Sequence, residues 1–146
     1  MSRTRFSPVT EGRYGALRSA LDAARLPTDD LTEAGRVFLE LSDDAGPIGF
    51  IGIEGAGADR LLRSLVVLPG RERKGYGSLL VAHAEAIAKR QGTERLHLLT
   101  MSAARFFAAR GYRSAGRDDA PECVRATAQF STLCPGNAHY LVKELV

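Results

Sequence analysis

At 146 residues the chain is long enough for one domain with a real core, and 45% hydrophobic with 25% charged residues is ordinary for a soluble globular protein. No uninterrupted apolar run approaches the ~18 residues of a membrane span, and MSRTRFSPVTEG lacks the apolar core of a secretion signal, so a cytoplasmic location without a membrane partner is expected. The net charge of +3 comes from arginines scattered among acids, unlike the basic stripe of a nucleic-acid binder, and Cys123 and Cys134 are too few for a disulfide scaffold and lack metal-site spacing.

Arg5 to Val9 reads as a first strand, stopped by Pro8 and Thr10. Thr10-Glu11 suits a helix start, and Tyr14, Leu17, Leu21 and Ala24 supply the apolar stripe. Leu26-Pro27-Thr28-Asp29-Asp30 breaks that helix and is expected to cap a short second one reaching Glu33. Arg36 to Ser42 alternates, with Val37, Leu39 and Leu41 on one face, and Asp43-Asp44-Ala45-Gly46 turns the chain into a returning strand, Ile48 to Gly55. A second glycine turn leads into Leu61 to Leu68, apolar except for Arg63 and Ser64, which suits a strand buried on both faces.

Pro69-Gly70 ends this strand, and Lys74-Gly75-Tyr76-Gly77-Ser78 opens a helix with Leu80, Ala84, Ile87 and Ala88 on one stripe. Gln91-Gly92 stops it. Arg95 to Thr100 is another strand, and the helical crossover makes it parallel to the Leu61 strand. Ser102 is expected to cap a helix through Arg110, ended by Gly111, with Tyr112 to Ala115 returning as a strand. A long connection follows, with one helical turn around 121–127, before a last strand from His139 to Leu145. The expectation is a single α/β domain over 1–146, with a mixed, mostly antiparallel sheet flanked by helices.

The loop before the central helix carries the clearest functional signal. A helix N-terminus reached through glycines presents unpaired N–H groups and a positive dipole end, and Arg71, Arg73 and Lys74 add charge. That pattern suits an anion, most simply a phosphate, although glycine capping for packing alone explains it too. A P-loop is excluded because Tyr76-Gly77 follow Gly75 where lysine and a hydroxyl are needed, and a dinucleotide fingerprint is excluded by Leu80.

Together these pieces resemble the GNAT acetyltransferase superfamily. Its Gln/Arg-x-x-Gly-x-Gly/Ala loop matches Glu72-Arg73-Lys74-Gly75-Tyr76-Gly77, and its aromatic-rich helix end matches Phe106-Phe107-Ala108-Ala109-Arg110-Gly111-Tyr112. The resemblance implies acetyl-CoA as cosubstrate, with its pyrophosphate on the loop amides from Arg73 to Ser78, and Phe106 in the same site. It further implies a parallel strand pair splayed at the cofactor cleft, where Leu65 and Val67 offer backbone groups to pantetheine. Three shorter stretches, Leu26–Leu31, Leu62–Leu65 and Phe130–Pro135, resemble the arsenic-resistance (ArsN-type) branch. That narrower likeness implies an amino-acid-like acceptor bearing arsenic or phosphorus. The chain departs from the family pattern at Glu72, which replaces Gln or Arg, and at Phe107, which stands where a tyrosine usually protonates the thiolate.

Direct acetyl transfer to a small amine needs an unprotonated nucleophile and a polarised thioester carbonyl. Glu54, at the end of an apolar strand, is the candidate base; the alternative is a solvated carboxylate. Arg63 is either a clamp on a substrate carboxylate or oxyanion or an internal partner of Glu40 or Glu54. Ser64 and Thr100 are placed beside substrate, with backbone bonding as the alternative for Ser64. Cys134 is a candidate acid or arsenic contact against an inert buried thiol, His97 a relay against a satisfied sheet histidine, and Tyr112 and Tyr140 are acids against core aromatics. No metal is expected. A homodimer, a CoA-binding module without chemistry, a protein N-terminal acetyltransferase and an arsenic sensor using Cys123 and Cys134 stay open.

Overall fold

The computed structural model describes residues 3–72, 75–133 and 137–145, with Thr132 and Leu133 described by backbone alone. Its centre is a seven-stranded sheet in the order β1-β2-β3-β4-β5-β7-β6. The strands are β1 (Arg5–Pro8), β2 (Arg36–Asp43), β3 (Gly46–Glu54), β4 (Asp59–Val67), β5 (Arg95–Thr100), β6 (Arg113–Ser114) and β7 (His139–Glu144). Each neighbouring pair is antiparallel except β4 with β5. That parallel pair is joined by α2 (Tyr76–Arg90), as the apolar stripe and crossover length demand.

Both faces of the sheet are covered, which is why β3 and β4 are largely apolar rather than alternating. α2 lays Leu80, Val81, Ala84 and Ala88 on Leu39, Ile51, Leu62 and Leu98. On the opposite face α1 (Tyr14–Ala23) buries Leu17 and Leu21 against Phe38, Phe50 and Val66. Each such leucine contributes about 2 kcal/mol. Beside α1, a short helix α4 (Glu122–Arg125) and the π-turn Gln129–Leu133 cover Leu61, Tyr140 and Val142 with Val124 and Phe130. Gly52 has a packing reason: a Cβ there would sit 2.6 Å from the Phe38 ring.

Local corrections have physical causes. No second helix forms between α1 and β2. The carboxylate of Asp30, expected to help cap one, instead binds Arg36 and Arg63, and the segment turns without helical repeat. Thr10 makes no side-chain cap bond, and the chain enters α1 through a 3-10 turn at Glu11–Arg13. The helix after β5 is α3 (Ala104–Ala108), shorter than expected, and the Thr100 hydroxyl rather than Ser102 accepts at its start, from Ala103 N–H at 3.0 Å. Val37 stays 40% exposed although alternation groups it with Leu39 and Leu41.

One irregularity sets the course of β4. Between the pairs Phe50↔Val66 and Gly52↔Arg63, β3 advances two residues while β4 advances three. The extra residue is a β-bulge, and Ser64 within it takes φ 60°, a left-handed conformation that costs a non-glycine residue roughly 1–2 kcal/mol.

Candidate functional site

β4 and β5 pair at Asp59↔Arg95, Arg60↔Leu96 and Leu61↔His97, and no further. Past that point the bulged β4 parts from β5, and a cleft of about 740 Å³ opens between Arg63, Ser64 and Leu65 on one side and Leu98, Leu99 and Thr100 on the other. The segment after α1, including Arg25 and Asp29, makes a further wall, and Phe107 also lines the cleft. The edges of two parted strands keep backbone groups available to a ligand, since they no longer bond to each other.

The cleft lining ends within two residues of Val67 and Phe106, which pack on the first turn of α2. Leu65 lines the cleft, and Val67 reaches Gly77. Phe107 lines it as well, while the Phe106 ring lies 3.2 Å from where a Gly77 Cβ would stand. A Cβ at this position would press on the Phe106 ring, so glycine suits the approach for packing as well as for capping. Gly75 precedes the helix in the left-handed conformation, φ 76°, and Tyr76, Gly77 and Ser78 form its first turn, whose N–H groups lack intrahelical acceptors. Glu72, the departure from the family loop, turns its carboxylate back to accept from Gly70 N–H at 2.8 Å, so it serves the loop's own backbone.

One of the three cations expected at this turn has a partner inside the chain. Arg71 is engaged by Asp43 through two bonds of 2.8 Å, tying the loop to the β2–β3 hairpin. That pairing holds the Asp43 carboxyl down at about 2. Arg73 and Lys74 lie outside the described residues. Arg110, which sequence reasoning missed, lies over Phe106 with its guanidinium carbon 3.7 Å from the ring centroid. Its Nε donates to Ser78 Oγ at 2.8 Å, its Nη2 meets the same oxygen, and its Nη1 donates to Phe106 O at 2.6 Å. A fixed cation thus stands at the first turn of α2. The available signal was its place inside the aromatic-rich helix end, just before Gly111.

Arg63 and Glu54 are found in a buried ion cluster. The Arg63 side chain is 0% exposed; it donates twice to Asp30 at 2.6 Å and once to Glu54 Oε1 at 2.8 Å, with Nε reaching Ser64 Oγ at 3.1 Å. Arg36 Nη2 lies 3.3 Å from Glu54 Oε2 and 3.0 Å from Asp30. Burial alone would raise the Asp30 carboxyl, but the bonds from Arg63 and Arg36 outweigh it and hold it below the usual range. Arg63 therefore has the internal partner foreseen as its alternative, in Glu54, and its charge is spent inside the chain rather than on a substrate. Glu54 has both oxygens engaged and does not line the cleft.

The candidate tyrosine and histidine donors have partners inside the chain. Phe107 packs edge-on to Phe106 and Tyr112. The Tyr112 hydroxyl donates to Glu85 at 2.8 Å, and burial pushes its ionisation far above the ordinary tyrosine value. Tyr140 and His97 form a chain on the α4 side of the sheet: Tyr140 Oη to His97 Nδ1 is 2.7 Å, and His97 Nε2 to Asp59 Oδ1 is 2.8 Å. Burial lowers the His97 ionisation despite Asp59, so the ring is neutral, donates from Nε2 and accepts the Tyr140 proton at Nδ1. His97 is a satisfied sheet histidine. Cys134 lies outside the described residues, Cys123 is exposed, and no group of metal-ligating side chains occurs among the described residues. No helix among them is long and apolar enough to cross a membrane.

The acetyltransferase (GNAT) domain profile matches residues 34–114, which hold the cleft strands, α2 and the aromatic-rich helix end. An amino-acid acetyltransferase from Neisseria meningitidis is 35% identical over 81 residues, which cover 56% of this chain and 18% of that relative. The chain thus matches about a fifth of the length of the curated relatives. Among solved structures, N-acetylglutamate synthase from Neisseria gonorrhoeae, complexed with coenzyme A and N-acetyl-glutamate, superposes with TM-score 0.83 at 22% identity, over 100% of this chain and 36% of that one. The ribosomal-protein-S18-alanine N-acetyltransferase from Escherichia coli gives TM-score 0.74 at 16% identity, covering 98% of this chain and 94% of that one.

Proposed function

This chain belongs to the GNAT acetyltransferase family, and on that footing we propose that it transfers acetyl from acetyl-CoA directly to the amine of a small, amino-acid-like acceptor. The observation that carries the reading is the parting of β4 and β5 beyond Leu61 and His97, which opens a cleft whose Leu65 and Phe107 lie close in sequence to Val67 and Phe106, the residues that pack on Gly77. The close packing of Gly77 on Phe106, the free amides of the first turn and the fixed Arg110 suit the pyrophosphate of acetyl-CoA. Leu65 and Val67 offer backbone groups for pantetheine, and Ser64 and Thr100 stand on either side of the cleft where acceptor and thioester meet.

Acetyl-CoA supplies an activated acyl group, and the chain orients it. The amine lone pair forms the new C–N bond, the C–S bond breaks, and the proton lost by nitrogen balances the charge of the departing thiolate. With Phe107 unable to donate, the Tyr112 hydroxyl committed to Glu85 and that of Tyr140 to His97, neither of these two tyrosines is placed to protonate sulfur. Cys134 stands as the remaining candidate donor, and Cys134→Ala kinetics test it.

Thiol release from acetyl-CoA, measured across free amino acids, peptides and glutamate-like arsenic and phosphorus compounds, tests the proposal. The three stretches that resemble the ArsN-type branch make the last group the first to try. Turnover with amino acids and none with peptides is expected; the reverse pattern would make it a protein acetyltransferase. Tight CoA binding with no thiol release from any amine would make the domain a CoA-binding module, the second reading that Phe107 favours.

A further inference from the structure

Among the described residues, the non-glycine residues with positive φ are Arg25 and Ser64, both at 60°, and both line the same cleft. Ser64 is explained by the bulge that parts β4 from β5. Arg25 has no such explanation in the sheet. It sits just past α1, where Arg25 N–H bonds Asp22 O at 3.0 Å and Leu26 N–H bonds Leu21 O at 2.9 Å, a Schellman ending whose left-handed residue is normally glycine. An arginine held there carries strain that glycine would remove, and strained residues gather where function requires the side chain.

The charges of this region divide in two. Arg36, Asp30, Glu54 and Arg63 neutralise one another inside the protein. The side chains of Arg25 and Asp29, on the cleft wall, make no hydrogen bond or ion pair to another described residue. The wall that carries them is anchored from behind: Asp30, next to Asp29, is gripped by Arg63, the neighbour of Ser64. A wall fixed to the strand bulge thus presents a cation and an anion to the cleft, neither with a side-chain partner among the described residues.

We propose that Arg25 and Asp29 are the acceptor-recognition residues, and that they select an acceptor bearing an amine and a carboxylate on neighbouring carbons, an α-amino acid. The inference rests on the acetyl-transfer reading and names its substrate class. Arg25 binds the carboxylate, Asp29 attracts the amino group, and Arg63 with Asp30 are positioning residues that touch neither.

The test compares α-amino acids, glutamate and its phosphinic analogue included, each against the same compound with its α-carboxylate converted to the amide. Thiol release is read for turnover, and calorimetric binding in the presence of CoA is read for recognition. A charged hydrogen-bond pair supports a preference for the free acid of roughly 10–100-fold. Arg25→Gln should reduce that preference to about 3-fold or less with the melting temperature unchanged. Arg25→Gly should abolish it as well while raising the melting temperature, a split that a purely structural arginine does not produce. Asp29→Asn should weaken acid and amide alike, because both carry the amino group.

A wild-type protein that binds and uses acid and amide equally overturns the inference, and so does a preference that survives both Arg25 variants. Selective amino-acid binding without thiol release leaves the inference standing and overturns the catalytic reading; thiol release without discrimination does the opposite.

Discussion

Arg63 and Asp30, 33 residues apart in sequence, meet through paired hydrogen bonds of 2.6 Å with the Arg63 side chain 0% exposed. The pair joins the loop after α1 to the bulged strand β4, two walls of the cleft. Its worth lies in completion, because a buried charge stripped of its partner is far costlier than the pair's net gain. Arg63→Met should therefore lower unfolding stability by about 3–5 kcal/mol, read by urea titration. Arg63→Met combined with Asp30→Asn should cost less than the sum of the single variants, since the coupled charges are removed together.

Glu54 can be separated from a base by its pH dependence. A general base imparts an ionisation limb to kcat/KM that disappears when the carboxylate becomes an amide. Because its oxygens face Arg63 and Arg36, Glu54→Gln should lower stability while the shape of the pH–rate profile persists. Loss of the acidic limb would restore the catalytic role.

Arg110 stands at the first turn of α2, a position suited to the anion of the cosubstrate. Arg110→Ala removes both its charge and its stacking on Phe106. Apparent KM for acetyl-CoA should rise roughly 10-fold with a smaller change in kcat. A fall in kcat alone would place Arg110 elsewhere in the cycle.

The pH dependence of stability has two windows. Burial lowers His97 below its ordinary 6.5, so the unfolded chain takes up the proton first. Its contribution is complete above pH 6.5 and declines as pH falls from there, by at most about 1.4 kcal/mol per pH unit. Asp30, also lowered, contributes fully above 3.8 and loses that contribution only in stronger acid. Denaturant titrations between about pH 7.5 and about pH 5 should show the first decline in the wild type and a flatter dependence in His97→Gln.

Much of the fold was legible because the signals are local. Pro69-Gly70, the Leu80–Ala88 stripe and the β2–β3 turn each act within a few residues, and the structure returns β4, α2 and the hairpin close to where those residues put them. The glycines of the α2 loop were legible for the same reason. The partners of the arginines were not. Arg71 finds Asp43, Arg63 finds Asp30 and Arg110 finds Ser78 across tens of residues, and no periodicity reports which acid or hydroxyl a long side chain will reach. The helix expected before β2 failed for that reason, with Asp30 taken by Arg63 instead of serving a cap.

The succession of strands and helices, the parallel crossover through α2 and the anion-ready turn at Gly75–Ser78 follow from the amino-acid order alone, because hydrophobic period, glycine and proline act on the nearest backbone. Which charges remain for a ligand follows from long-range packing instead. Charge is neutralised by whatever lies within about 3 Å in space, and the folded chain spends Arg63, Arg71 and Glu54 on itself while Arg25 and Asp29, on the cleft wall, have no side-chain partner among the described residues.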